Sequence, residues 1–161
     1  TWAEAGETVS VARKDHLCTS LTNRLGLATN LCANIGGGAQ AQSVATNIPS
    51  DGYLRGAEAP ALSTDATMFF RGAGETLCQI AADQVVDKPG SRFASAKKDA
   101  VITDLVQSIM GLAGDSTAPQ AAQILKDHFA AAIAAGASPT DAMKSTFVVA
   151  CTSPTSLAVG L

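Results

Sequence analysis

The sequence predicts an all-α fold: a single-domain bundle of five to seven helices over residues 1–161, with a long irregular excursion after the first helix. Three observations predict it. Apolar residues recur at steps of three and four through most of the chain, which is the period of a helix face. Strand-like alternation is almost absent. Glycine, proline and Ser/Thr/Asp clusters punctuate the periodic stretches where helices would start and stop. At 161 residues the chain can bury a real core.

The first helix is expected over residues 8–35, where Cys18, Leu21, Leu25, Ala28, Cys32 and Ile35 draw one apolar seam. Gly26 interrupts it. A tolerated glycine costs about 1 kcal/mol relative to alanine, so an unbroken helix is the expectation; a glycine cap after Leu25 is the alternative. Gly36-Gly37-Gly38 ends the segment. Residues 36–59 then read as a loop, in which 43–48 could pair with 53–55 as a small hairpin across Ser50-Asp51-Gly52. Loops this long are uncommon in compact domains and are usually functional or disordered. Asp51, Tyr53 and Arg55 are therefore candidate binding residues on its surface.

Helix returns over residues 61–70, is expected to break at Gly72 and Gly74, and resumes over 75–86 with Leu77, Cys78, Ala81, Ala82 and Val85 on one side. Asp87-Lys88-Pro89-Gly90 is a turn. Residues 97–112 form the clearest amphipathic helix: Val101, Ile102, Leu105, Ile109 and Leu112 face inward, while Asp99, Asp104 and Gln107 face water. The next helix has Pro119 near its start, a buried stripe of Leu125, Phe129, Ala132 and Ile133, and an end at Gly136. Ser138-Pro139-Thr140-Asp141 resembles a capping box with an acid at the fourth place. It opens a last helix through Met143, Phe147, Val148 and Cys151, which Pro154 stops, leaving a short apolar tail.

Composition narrows the function classes. Charged residues make up 16% and aromatics 4%, so the surface is largely small and uncharged. A net charge of −3 supplies no basic stripe for nucleic acid. The longest apolar stretch, residues 129–137, is too short to span a bilayer. Thr1-Trp2 is followed by polar and acidic residues rather than a signal sequence, as in a mature product whose leader was removed. No Asn-x-Ser/Thr sequon occurs, which favours a bacterial over a eukaryotic secretory source.

Four cysteines, Cys18, Cys32, Cys78 and Cys151, are dispersed without any CxxC pair. This predicts disulfides formed in an oxidising, extracytoplasmic compartment. Three pairings are open. In an unbroken first helix, Cys18 and Cys32 would stand about 21 Å apart, beyond the ~7 Å between Cα atoms that a bridge allows. Each would then reach Cys78 or Cys151. A Cys18–Cys32 bridge requires a sharp break at Gly26.

Catalytic and metal motifs are lacking. His16 and Cys18 sit about 200° apart around a helix, and only His128 could join them, so no zinc site is expected. The triplets Lys14-Asp15-His16 and Lys126-Asp127-His128 place Asp and His as neighbours that do not face each other on a helix. GxSxG, GxGxxG after a strand, and Walker loops are all missing. The related strings at residues 53–58 and 70–75 (aromatic or leucine, arginine, glycine, alanine, glutamate) read as coincidence in an Ala/Gly-rich chain. No CxxCH exists for covalent haem, although His16 or His128 could serve as an axial ligand in a non-covalent site, with His128 turned toward the core.

Residues 134–144 (AAGASPTDAMK), followed by Thr152-Ser153-Pro154, resemble helical segments of unknown function in large secreted bacterial proteins that carry cytochrome c-like modules. The resemblance covers one helix-turn-helix, lacks the haem motif of those modules and transfers no functional residue. It implies an extracytoplasmic bacterial helical domain. The expected function is accordingly a non-catalytic structural or interaction protein with a protein partner (itself or an envelope component), no cofactor and no transmembrane segment. A self-assembling surface or filament subunit is its specific form. The alternative is a binder of a small hydrophobic ligand or non-covalent haem held between helices.

Overall fold

The computed structural model describes residues 23–26 and 68–158. Helices and the turns between them account for this part, with no strand among the described residues. The chain divides into two compact units, residues 1–74 with 160–161 and residues 75–159. The expected hairpin, the candidate residues Asp51, Tyr53 and Arg55, and His16, Cys18 and Cys32 lie outside the described residues.

In the first unit, residues 23–25 form a helical turn with Leu25 buried, and it stops at Gly26. Gly26 has φ +66°, and its N–H donates to the carbonyl of Asn23 at 3.1 Å. A side chain is rarely accommodated in that left-handed conformation, whereas glycine adopts it without steric cost. The glycine therefore ends the helix, and the expected unbroken run through residue 26 is corrected.

The helix α1, Met68–Val85, carries its register straight through Gly72 and Gly74, so the break expected there is absent. Two glycines cost about 1 kcal/mol each in helix propensity. Burial of Leu77, Cys78, Ala81, Ala82, Val85 and Val86 outweighs this. Each buried Leu or Val side chain contributes roughly 1.5–3 kcal/mol.

A turn at residues 86–94 leads to a 3₁₀ turn, Ser95–Lys97, and helix α2, Lys98–Asp104. α2 runs on as a π-helical turn, Leu105–Ile109, marked by the Met110 N–H donating to the Leu105 carbonyl at 2.9 Å. Val106, four residues after Ile102 and three before Ile109, is buried with Leu105 on the same face. Leu112, expected inside, is only half-buried beyond Gly111.

Helices α3, Ala118–Ala134, and α4, Pro139–Cys151, form an antiparallel hairpin across a four-residue connection. Its reversal is a Schellman motif: Gly136, at φ +95°, donates to the Ile133 carbonyl, and Ala137 donates to that of Ala132. Ser138 caps α4 as expected, its hydroxyl oxygen accepting the Asp141 N–H at 3.2 Å and its proton going to the Asp141 carboxylate at 2.6 Å. A short fifth helix, α5, Pro154–Ala158, continues the chain past the expected stop. Ser156 fastens it by donating to the carbonyls of Ala150 at 2.6 Å and Ile109 at 3.0 Å.

α4 supplies the centre of the core. Ala142, Met143, Thr146, Phe147, Ala150 and Cys151 form one stripe, all of them buried. The one polar member, Thr146, returns its hydroxyl to the Ala142 carbonyl at 2.8 Å, so burial leaves no unpaired donor. Phe147 meets Phe93 edge-to-face, with centroids 5.5 Å apart and planes at 88°. Three links sew α1 and the turn after it to α4. Cys78 bonds to Cys151, Asp83 pairs with Lys144 at 2.7 Å, and Asp87 accepts the Thr140 hydroxyl at 2.6 Å. As residue numbers rise toward Asp87, those of the partners fall along α4, so the two helices run antiparallel.

The Cys78–Cys151 bridge overturns the pairings expected for an unbroken first helix and accords with the alternative, which required a break at Gly26. Both half-cystines are only 2% exposed, and their Cα atoms lie 5.9 Å apart, within the usual range.

Candidate functional site

Asp87 joins two elements that border an open groove in the second unit. It is held at φ +54°, where Asp is one of the few side-chain-bearing residues tolerated. One carboxylate oxygen accepts the Ser95 N–H at 2.7 Å, the other the Thr140 hydroxyl at 2.6 Å. These bonds, the Thr140 one foremost, hold its carboxyl below the usual carboxylate range. Asp87 thereby ties the 3₁₀ turn before α2 to the first turn of α4.

Between those two points and the end of α3 lies an open groove of about 590 Å³. Its apolar floor comes from Phe129, Ile133 and Pro139. Residues 95–100 form the opposite wall, including Lys97, Lys98 and Asp99. Ile133 was expected in the core, but it is 39% exposed, because the α3 stripe that packs inward is Ala121, Leu125 and Phe129. The Lys98 ammonium stands 5.9 Å from the Phe129 ring centroid, at the outer limit of a cation–π contact.

Charge pairing around the groove is uneven. Asp99 is engaged by Lys126 at 3.5 Å, Asp104 by Arg92 at 2.9 Å, and Asp83 by Lys144 at 2.7 Å. The hydrogen bond that Lys144 donates to Asp83 raises the Lys144 pKa. Lys97 and Lys98 have no carboxylate within salt-bridge distance among the described residues. Two adjacent basic groups are thus left without a carboxylate partner beside the exposed Ile133 and Pro139.

A second polar constellation is one that sequence spacing could not reveal. His128 Nε2 lies 2.8 Å from the Ser145 hydroxyl, across the α3–α4 hairpin. The half-buried ring reaches sideways to α4 rather than into the core, where the alternative of an axial haem ligand would have turned it. The pair lacks the other parts of a nucleophilic centre. Asp127 accepts a bond from Gln123 at 2.8 Å and does not orient the imidazole. Ser145 lies within α4, where backbone N–H groups are spent on the helix and cannot form an oxyanion hole. The bond pins two helices together.

Of the residues singled out from sequence, Cys78 and Cys151 come together as a bridge. The second of the two related strings, residues 70–75, lies within α1. No group of three or more His, Cys, Asp or Glu side chains suited to a metal gathers among the described residues. No described helix is long and apolar enough to cross a membrane. No family model, curated protein or solved structure matches this chain.

Proposed function

We propose that this chain is a non-catalytic, disulfide-stapled helical module of the bacterial envelope or exterior that works through its surface, as a structural or interaction protein. The observation that carries this reading is the open groove, where Ile133 stays exposed and Lys97 and Lys98 have no carboxylate partner among the described residues. Exposed apolar surface flanked by polar groups is the common form of a protein contact site. The Cys78–Cys151 bridge supports an oxidising compartment. A self-assembling surface or filament subunit is the specific form in which the partner is another copy.

Light scattering behind size-exclusion chromatography at two concentrations, with electron microscopy of the concentrated sample, tests the assembly form. Mass that grows with concentration and shrinks in Ile133→Ser supports it. A strict monomer at the highest concentration removes it. The compartment is tested separately by peptide mapping without reductant: four free thiols would overturn it.

A further inference from the structure

We infer that the groove docks a partner-protein segment that presents a bulky apolar side chain flanked by carboxylates. The inference rests on the interaction reading above and names the partner's chemistry. Three features select it. First, the groove is open, with Ile133 and Pro139 exposed above the buried Phe129 ring instead of closing over a guest. A small apolar ligand is normally buried over most of its surface, which an open groove does not achieve; one side chain projecting from a larger partner needs only such a seat.

Second, the rim carries Lys97 and Lys98 without a carboxylate of their own, whereas Arg92, Lys126 and Lys144 are each paired within the unit. Complementary charge selects partners and sets register even where it adds modest affinity. Third, Asp87 fixes both walls through Ser95 and Thr140, so the seat is formed before the partner arrives. Asp99, the acid nearest the two lysines in sequence, is engaged by Lys126 at 3.5 Å, which offsets part of its repulsion of an incoming carboxylate.

The test is an amide-resolved NMR titration of the full ¹⁵N-labelled chain with two capped hexapeptides, one alternating glutamate and leucine, the other glutamine and leucine. The acidic peptide is expected to shift Lys97, Lys98, Ala100 and Ile133 together. The Lys97→Glu/Lys98→Glu variant should weaken its binding at least fivefold, roughly what two rim ion pairs contribute. Adding about 0.5 M salt should weaken it in the same sense. Both substituted side chains are solvent-accessible, and unchanged shifts of buried amides such as Phe147 show that the variant keeps its fold. Equal binding of both peptides at the groove would overturn the acidic partner while leaving an apolar interaction site. Absence of groove shifts with either peptide would also overturn it, and the self-association measurement then judges the interaction reading on its own.

Discussion

Removing the Cys78–Cys151 bridge by the double substitution Cys78→Ala/Cys151→Ala should destabilise the second unit by several kcal/mol. The half-cystines are 73 residues apart in sequence. Closing a loop of that length in the unfolded chain corresponds to about 15 cal/mol/K, or ~4.4 kcal/mol at 25 °C, on the chain-entropy account. Measured bridges usually give about 2–4 kcal/mol, so a loss of about 3 kcal/mol is expected. That is a large share of a typical total of roughly 5–15 kcal/mol. The folded geometry should survive, because Asp83–Lys144 and Asp87–Thr140 still join the same elements and the stripe of α4 stays buried. Urea unfolding followed by circular dichroism reads the effect as a lower midpoint, with a slope that rises if the variant's unfolded chain is less compact. The substitution is preferable to reductant, which would act on any other bridge as well. A loss under about 1 kcal/mol, set against the typical range, would refute the reasoning, as would a digest without a Cys78–Cys151 linked peptide.

Phe147→Ala should cost about 3–5 kcal/mol in the same urea assay, because it empties a fully buried site and strands the Phe93 ring. Ser138→Ala should cost about 1 kcal/mol by removing the α4 cap, while Ser138→Asp should restore most of it. Asp87 has a depressed carboxyl, so its contribution is present above the unfolded-state pKa and is lost as pH falls through the folded value. Thr140→Val removes the leading cause of that depression. Its stability deficit against the parent chain should be visible near neutral pH and should narrow in acid; a gap that widened in acid would contradict the assignment. With Cys78 and Cys151 joined, Cys18 and Cys32 can pair within the chain only with each other. Non-reducing peptide mapping should return that linkage, and intermolecular dimers through either cysteine would contradict it.

The parts of the fold legible in the sequence were those governed by local chemistry. Pro119, Gly136, Ser138 and Asp141 mark the α3–α4 hairpin because caps and reversals act within a few residues. The stripe through Met143, Phe147 and Cys151 is equally plain. Where tertiary burial competes with propensity, the local signal misleads. Gly72 and Gly74 look like a break, but the buried face that follows holds α1 continuous, whereas Gly26 ends its helix. Glycines in helical stretches therefore take opposite roles, ending one helix at φ +66° and lying inside another. The π turn at 105–109 has no residue signature, since it is a change of register rather than of composition.

The candidate site was less legible. Phe129 and Ile133 share a helical face, and periodicity assigns both to the core. Whether that face is fully covered depends on where the turn at 95–100 lands, which Asp87 decides from a distance. The His128–Ser145 contact likewise depends on hairpin register. Lys97 and Lys98 were visible as charges, but their lack of partners became meaningful only once the pairing of Arg92, Lys126 and Lys144 was known.

The bridge also has a mechanical consequence. Tension entering the chain before Cys78 and leaving after Cys151 crosses from one sulfur to the other and bypasses everything between them. The 73 intervening steps, about 250 Å of extended contour, cannot be drawn out while the bond holds. A protease cut in the exposed segment at residues 113–117 would likewise leave both pieces tethered. For a module strung between surfaces or between copies of itself, this makes the second unit a short covalent link under load, with the helices hanging from it as a side loop.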